Sequence, residues 1–259
     1  MKVYSLTKTL DDYVDFYIND PSEAEVIVVG GSSIDLEKFP KLKYIFKCGV
    51  GVDNIPDLKD TGVKLIMPSE LTKIKIYDEV SSFAVFLILQ SHYRKLGNVS
   101  KWEKEERKTL SDKSCLTVGS MGNIGRFVFD KLEDLFKDNV GFDVNSFFHT
   151  TLEKEMKSAD IVTLHCPLTD GNRGMIKTEW LKDDVILVNT ARAELVDENE
   201  LYEFLKSNPK ATAAFDVFWE EPYKGKLLEL DNFIATPHVA SMGDGFRKGL
   251  YRDLMELLK

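Results

Sequence analysis

The sequence has little of what marks membrane, nucleic-acid-binding or disulfide-stabilised proteins. Among 259 residues there are 34 lysines and arginines against 43 aspartates and glutamates, for a net charge of −9. There is no block of basic residues, which argues against nucleic acid or an anionic membrane as a partner. The longest apolar run, residues 83–89, is too short to span a bilayer. Residues 1–5 lack the apolar core of a secretory signal.

Cysteine is also scarce. Cys48, Cys115 and Cys166 are odd in number and share no metal-like spacing, so we expect packing residues and no metal site. Together with the absent signal, this predicts a cytoplasmic protein. Hydrophobic residues make up 43% and charged residues 30% of the chain, which predicts a globular protein long enough for two lobes.

A glycine-rich turn between a strand pattern and a helix pattern is the most informative stretch. The apolar run 116–118 leads into residues 119–125, GSMGNIG, and apolar residues then recur at spacings of three and four. Such a turn lets backbone N–H groups approach a pyrophosphate at a helix N-terminus. Asp143, at the end of the next strand, is placed to bind the ribose hydroxyls of NAD and to repel the 2′-phosphate of NADP. The sequence therefore predicts an NAD site, against the alternative of a turn without ligand.

The fingerprint departs from G-x-G-x-x-G at its first position. Ser120 stands where the first glycine belongs, and Gly119 lies one residue early. Serine resists positive φ. Two interpretations are open: the tight turn is shifted onto Gly119, or the turn is distorted.

Strand and helix patterns alternate along the chain, which predicts an α/β fold. We expect a Rossmann-type doubly wound parallel sheet with a second, smaller flavodoxin-like α/β lobe. Residues 1–75 plus 240–259 would form the substrate domain, and residues 76–239 the NAD-binding domain. The predicted elements of the first lobe are strands at 2–6, 25–30, 43–47 and 63–67, a helix at 10–17, a linking helix at 79–92 and a closing helix at 245–259.

The polar stretch 94–114, rich in lysine and glutamate, is the candidate linker. Tyr93 lies just before this stretch and Trp102 lies within it. The two aromatic residues either form a dimer contact or belong to a solvated connection.

Candidate catalytic residues follow the later strands. Arg192 and His238 follow the ends of buried-looking strands, and Glu221 lies in an acidic loop. Taken singly, the arginine would ordinarily belong to a surface ion pair, the histidine would be structural and the glutamate would be a solvated acid. At the carboxyl edge of a dinucleotide-binding sheet they form a set: the guanidinium binds an anion, the imidazole transfers a proton, and the carboxylate orients the imidazole and raises its pKa.

Six ordered motifs over roughly residues 43 to 245 resemble the D-isomer-specific 2-hydroxyacid dehydrogenases, a family that includes phosphoglycerate, glycerate, lactate and glyoxylate/hydroxypyruvate enzymes. The motifs are GVGVDNI at 49–55, MGNIG at 121–125, DIVTLHCPL at 160–168, VNTAR at 188–192, FDVF at 215–218 with Glu221-Pro222, and Thr236-Pro237-His238.

The resemblance implies an NAD-dependent homodimeric oxidoreductase that transfers a hydride between nicotinamide and a small D-2-hydroxy or 2-keto acid. It implies that Arg192 binds the substrate carboxylate, that His238 is the acid/base and that Glu221 is its partner. It adds the backbone N–H groups of Val50 and Gly51 as carboxylate ligands. The implied cofactor ligands are Gly122, Asn123, Ile124, Gly125, Asp143, Cys166, Pro167, Thr190, Ala191 and Asp216, with Asp216 on the nicotinamide carboxamide.

The chain departs from the family in several places. It is shorter, Ser82 replaces a usual glutamate, and residues 69–78 are more charged than the usual glycine-rich loop. Lys47, before the glycine nest, either meets a substrate phosphate or is an ordinary lysine at a strand end. The alternative functions are an NAD-sensing protein-interaction module without turnover and a relic that binds no cofactor.

Overall fold

The computed structural model describes residues 1–144 and 150–259, which form two compact units. The smaller unit is Met1–Glu79 with Ser241–Lys259, and the larger unit is Val80–Ala240. The sequence-based expectation places the two boundaries after residues 75 and 239.

The strands are β1 (Val3–Ser5), β2 (Val26–Val29), β3 (Tyr44–Lys47), β4 (Lys64–Ile66), β5 (Gly97–Asn98), β6 (Glu103–Lys104), β7 (Ser114–Val118), β8 (Asp138–Phe142), β9 (Ile161–Leu164), β10 (Ile186–Asn189), β11 (Thr212–Phe215) and β12 (Phe233–Ala235). The α-helices are α1 (Glu70–His92), α2 (Asn123–Leu132), α3 (Leu152–Ser158), α4 (Glu198–Ser207) and α5 (Asp244–Leu258). In the part of the chain that the structure describes, no helix has the length and apolar character needed to cross a membrane.

The smaller unit contains a parallel sheet whose strands lie in chain order, β1-β2-β3-β4. Strand β2 is buried at all four positions, as expected for an apolar run in the middle of a parallel sheet. This is the flavodoxin order 2-1-3-4-5 without its edge strand, because removal of strand 2 leaves the other four strands in chain order.

The helix predicted at residues 10–17 is wrong. Tyr13 and Val14 donate backbone hydrogen bonds to Leu10 O, which closes turns and no regular helix. Leu10 and Val14 are buried, so their helix-like spacing reflects packing of these turns. A segment this short does not sustain a helix unless tertiary packing favours one. Nearby connections contain 3-10 turns at Pro21–Glu23 and Leu36–Lys38.

Helix α1 begins at Glu70 and not at residue 79, so most of the stretch expected to be a charged loop is helical. Ser69 caps this helix, because its Oγ accepts from Thr72 N–H at 3.4 Å. Ser69 N–H and Oγ also donate to Asp253 of α5 at 2.9 and 3.0 Å. The first turn of α1 is therefore tied to the last helix of the chain.

The larger unit is built on a parallel sheet of order β12-β11-β10-β9-β7-β8. Its two faces carry different helices, because successive strand side chains point to opposite sides. Val162 packs in the cluster that contains Leu201 of α4, whereas Ile161 packs with Leu87 of α1 and Val128 of α2. The predicted doubly wound sheet is confirmed. Since β7 pairs with β8 on one side and β9 on the other, the order reverses at β7, and ligands bind at such switch points.

The predicted linker contains an antiparallel hairpin formed by β5 and β6. At its tip Val99 and Trp102 are 86% and 78% exposed, so these apolar side chains lie in solvent in the single chain.

Candidate active site

A cavity of about 630 Å³ lies at the carboxyl ends of β7, β8 and β9 in the larger unit. Its lining includes Gly119, Gly122, Asp143, Cys166 and Pro167. The volume is in the range of small-molecule and cofactor sites, and the position is the one expected for a dinucleotide.

The tight turn that opens this cavity falls on Gly119. Its φ is +86°, and a Cβ there would lie 2.7 Å from Cys166 N. A Cβ on Gly125, in the first turn of α2, would lie 2.0 Å from Gly119 O, so glycine is needed for the helix to approach the turn. Of the two interpretations of the altered fingerprint, the structure supports the turn shifted onto Gly119.

Helix α2 directs its N-terminus to this turn. Gly122 precedes the helix, and Asn123, Ile124 and Gly125 form its first turn, whose N–H groups have no acceptor within the helix. Such groups favour an anion, and a pyrophosphate fits them. The side chain of Ile124 packs against the hydrophobic core, so only its backbone is suited to the ligand. Asp143 Oδ2 accepts from Met121 N–H at 3.3 Å, which holds the carboxylate beside the turn.

Strand β9 is followed by a polar residue, His165, that the sequence analysis did not single out. His165 lines the cavity, with Nε2 2.8 Å from Thr163 Oγ1 and Nδ1 3.5 Å from Thr190 Oγ1. Burial lowers the pKa of His165 to about 3, so the imidazole is neutral. Burial raises the pKa of the neighbouring Cys166 thiol to about 11, which makes it a poor nucleophile. The sequence feature that could have identified His165 is its position directly after a buried strand.

Buried Asn189 at the end of β10 shapes the turn that carries Arg192. Its Oδ1 accepts from Ala191 N–H at 2.9 Å, and its Nδ2 donates to Arg192 O at 2.8 Å. The Arg192 guanidinium donates to Ala191 O through Nη1 at 2.7 Å. The amide of Asn189 thus fixes residues 190–192, including the predicted cofactor ligands Thr190 and Ala191.

Glu221 and His238 form a hydrogen-bonded pair. His238 Nδ1 lies 3.0 Å from Glu221 Oε1 and 2.9 Å from Oε2, and Phe218 N–H donates to Oε1 at 3.2 Å. The hydrogen bond to Glu221 raises the pKa of His238 despite its partial burial. Partial burial acts to raise the pKa of Glu221, but the hydrogen bond and charge of His238 outweigh it, and the pKa is lowered. The positive charge of Arg192 makes a smaller contribution that lowers both values, so all three groups act on one another.

Asp216, at the end of β11, holds the loop that carries His238. Its Oδ1 accepts from Thr236 Oγ1 at 2.6 Å and from Val239 N–H at 2.9 Å, and its Oδ2 accepts from Ala240 N–H at 2.9 Å. The side chain is buried, which raises its pKa. His238 has a φ of +52°, an unusual value for a non-glycine residue that these bonds help to hold. Sequence analysis assigned Asp216 to the nicotinamide and did not identify this anchoring.

The predicted carboxylate ligands Val50 and Gly51 belong to the smaller unit and follow β3. Lys47, the last residue of β3, is buried, and its ammonium donates to Gly30 O and to Asn54 Oδ1. Asn54 Nδ2 donates in turn to Ser32 O at 2.6 Å. These hydrogen bonds use donors of the Lys47 ammonium within the smaller unit. They support the interpretation of Lys47 as an ordinary lysine at a strand end over that of a phosphate ligand. Among residues 1–144 and 150–259, no group of three or more histidine, cysteine, aspartate or glutamate side chains is arranged to hold a metal ion.

Comparison with known proteins identifies the family. The profile of the D-isomer specific 2-hydroxyacid dehydrogenase NAD binding domain matches residues 88–240. Hydroxypyruvate reductase from Thermotoga maritima is 31% identical over 242 residues, covering 85% of this chain and 78% of that protein. D-3-phosphoglycerate dehydrogenase from Methanocaldococcus jannaschii is 31% identical over 262 residues, covering 92% of this chain but only 49% of that protein.

Solved structures share the fold. D-lactate dehydrogenase from Aquifex aeolicus, complexed with NAD and lactic acid, superposes with a TM-score of 0.81 at 22% identity, covering 100% of this chain and 94% of that chain. The profile match and the similar reductases show that the larger unit is the NAD-binding domain of an oxidoreductase. The chain belongs to the D-isomer specific 2-hydroxyacid dehydrogenase family.

Proposed function

We propose that this protein is an NAD-dependent D-2-hydroxyacid dehydrogenase that interconverts a small 2-keto acid and its D-2-hydroxy acid. The observation that carries the proposal is the His238–Glu221 pair on the same sheet edge as a cavity suited to a dinucleotide, with the charge of Arg192 acting on both side chains. A proton donor and an anion-binding group beside a cofactor site are what reduction of a 2-keto acid requires.

Bound NADH supplies the hydride for the keto carbon. His238 protonates the oxygen that becomes the hydroxyl, and in the oxidation direction the neutral imidazole accepts that proton. Glu221 keeps the imidazole oriented and favours its charged form through the bond to Nδ1, which leaves Nε2 for the substrate. Arg192 binds the substrate carboxylate and stabilises the negative charge that develops on the keto oxygen. Val50 and Gly51 are proposed as further carboxylate ligands on the strength of the motif alone.

The cofactor contacts follow from the residues around the cavity. The turn of Gly119 to Gly122 and the first N–H groups of α2 would hold the pyrophosphate, and Asp143 the adenosine ribose. Asp216 has already accepted three hydrogen bonds, so a nicotinamide carboxamide would use the remaining lone pair of Oδ2. Thr190 and Ala191 would lie beside the cofactor on the turn that Asn189 fixes.

For the substrate we propose an unphosphorylated acid such as glyoxylate, hydroxypyruvate or pyruvate. The support is Lys47: its ammonium is buried and donates to Gly30 O and Asn54 Oδ1, which disfavours its use as a phosphate ligand. The names of similar proteins include hydroxypyruvate and glyoxylate reductases, alongside phosphoglycerate dehydrogenases.

The test is an assay of purified protein with NADH and glyoxylate, hydroxypyruvate, pyruvate and 3-phosphohydroxypyruvate. The chirality of the product is determined for the last three acids, since glycolate formed from glyoxylate is achiral. We expect oxidation of NADH by at least one unphosphorylated acid, and the D isomer wherever the product is chiral. Preference for 3-phosphohydroxypyruvate would overturn the substrate assignment alone. NAD binding without turnover of any acid would favour the protein-interaction module over the enzyme.

We also propose a homodimer in which the β5–β6 hairpin contacts a second copy. The exposed apolar side chains of Val99 and Trp102 at the hairpin tip support this arrangement. Light scattering of the wild type should give twice the chain mass, and Trp102→Ala should shift it towards monomer. A monomeric wild type would contradict the proposal.

A cytoplasmic location is proposed on the state of the cysteines. All three are free thiols, as suits a reducing compartment. Fractionation of the source cells with an antibody against the protein would test it, and recovery outside the cytoplasm would overturn it.

A further inference from the structure

Ser120, the residue that replaces the first fingerprint glycine, fits against a glycine in the neighbouring strand. A Cβ placed on Gly141 of β8 would lie 2.7 Å from Ser120 Oγ and 2.9 Å from Ser120 Cβ. The next nearest atom would be Phe129 Cε2 at 3.3 Å. The absent side chain of Gly141 therefore provides the space that the side chain of Ser120 occupies.

The contact with Ser120 Cβ is the decisive one. Rotation about χ1 moves Oγ, but it leaves Cβ where the backbone places it. A separation of 2.9 Å is shorter than carbon atoms in proteins tolerate. Any side chain at position 141 must therefore displace the turn or the strand while position 120 carries a Cβ.

A displaced turn would disturb both parts of the cofactor site. Gly119 and Ser120 donate their N–H groups to Phe142 O at 2.8 and 3.3 Å, and Met121 N–H donates to Asp143 Oδ2 at 3.3 Å. These bonds join the glycine turn to the end of β8. The turn that would face the pyrophosphate and the carboxylate that would face the ribose therefore move together.

We propose that Ser120 and Gly141 are a complementary pair of positioning residues that holds the glycine turn and Asp143 in the arrangement that binds NAD. The serine is compatible with the fingerprint because β8 has a glycine beside it. This inference rests on the proposed use of the turn and Asp143 in NAD binding.

The test is a set of variants that separates the Cβ from the hydroxyl. NAD affinity by calorimetry and thermal unfolding without NAD are measured for the wild type, Gly141→Ala, Ser120→Gly, Ser120→Gly with Gly141→Ala, and Ser120→Ala with Gly141→Ala. We expect Gly141→Ala to weaken NAD binding by about 10-fold and to lower the unfolding temperature. Adding Ser120→Gly should restore both quantities, whereas adding Ser120→Ala should not, because alanine keeps the Cβ.

Wild-type NAD affinity in Gly141→Ala would overturn the proposed pair, and so would equal rescue by Ser120→Gly and Ser120→Ala in the double variants. A large loss of NAD affinity in Ser120→Gly alone would also overturn it, because that loss would indicate that the Ser120 hydroxyl itself binds the cofactor. If Gly141→Ala does not fold, recovery of folded protein in the glycine double variant alone supports the pair, and failure of both double variants rejects it. A wild type that binds no NAD would reject the cofactor site, while the unfolding temperatures still test the pair.

Discussion

His238 Nδ1 lies within 3.0 Å of both carboxylate oxygens of Glu221, although the two residues are 17 positions apart. The side chains are 46% and 42% exposed in the single chain, so the pair is open to a substrate and to solvent ions. A pair this exposed contributes little to stability, which directs attention to its effect on protonation.

Replacing Glu221 with glutamine should move the pH profile of catalysis to lower pH. The hydrogen bond to Glu221 is the largest cause that raises the pKa of His238, so its weakening lowers that pKa. Reduction needs the imidazolium, and its kcat/KM falls as pH rises through the pKa of His238. Oxidation needs the neutral imidazole, and its kcat/KM rises through the same pKa. Both limbs should therefore shift downwards in the variant.

The control for this measurement is Glu220→Gln, which removes the same charge from the exposed neighbouring position. Its profile should match the wild type. An unshifted limb in Glu221→Gln, or the same shift in both variants, would show that the carboxylate of Glu221 does not set the pKa of His238.

Loss of the imidazole should remove proton transfer. His238→Ala is expected to lower kcat by about 10²–10⁴-fold, the usual contribution of a positioned acid or base. NAD affinity should stay within about threefold of the wild type, which is under 1 kcal/mol, because the proposed partner of His238 is the substrate and not the cofactor. Steady-state kinetics and calorimetry provide the two numbers, and near-normal turnover of the best substrate would refute the assignment.

Arg192→Lys should impair the enzyme although the charge is kept. A lysine cannot offer the planar fork that binds a carboxylate at two points. We expect kcat/KM for the keto acid to fall by about 10- to 100-fold, with unchanged NAD affinity. The matched control is Arg173→Lys, since Arg173 is 56% exposed and pairs with Glu194 at 3.8 Å. Equal effects of the two substitutions would argue against a specific carboxylate contact.

What the sequence predicts well here is what depends on local pattern. Apolar runs such as residues 161–164 and 186–188 specify buried strands by themselves, and the polar residue after each run indicates the edge where a ligand binds. The same logic selected Arg192 and His238 as candidate catalytic residues, since each follows such a run.

What the sequence did not predict depends on contacts between distant residues. Ser69 caps α1 while bonded to Asp253, and the helix start follows from a partner near the other end of the chain. Leu10 and Val14 have helical spacing but pack as turns. The anchoring by Asp216 requires its carboxylate to meet the loop after Thr236, which no spacing along the chain reveals.

Asp216→Ala should destabilise the fold and reduce turnover together. The substitution leaves Thr236 Oγ1 and the N–H groups of Val239 and Ala240 without their acceptor. We expect the free energy of unfolding in urea to fall by roughly 2–4 kcal/mol, and kcat to fall because His238 is less fixed. Asp231→Ala, an exposed acid before β12, should leave both unchanged. Wild-type stability in Asp216→Ala would contradict the anchoring.

Asp143→Ala should relax the preference for NAD over NADP. The carboxylate sits at the cavity edge, where Met121 N–H holds it, and its proposed partners are the ribose hydroxyls. Without it NAD loses hydrogen bonds, while NADP is relieved of repulsion between two anions. The ratio of the NADP and NAD dissociation constants should therefore fall by about 10-fold or more. Asp138→Ala, an exposed acid at the opposite end of β8, removes the same charge away from the cavity and should leave the ratio unchanged. If the ratio is the same in both variants and the wild type, the ribose is held by another group.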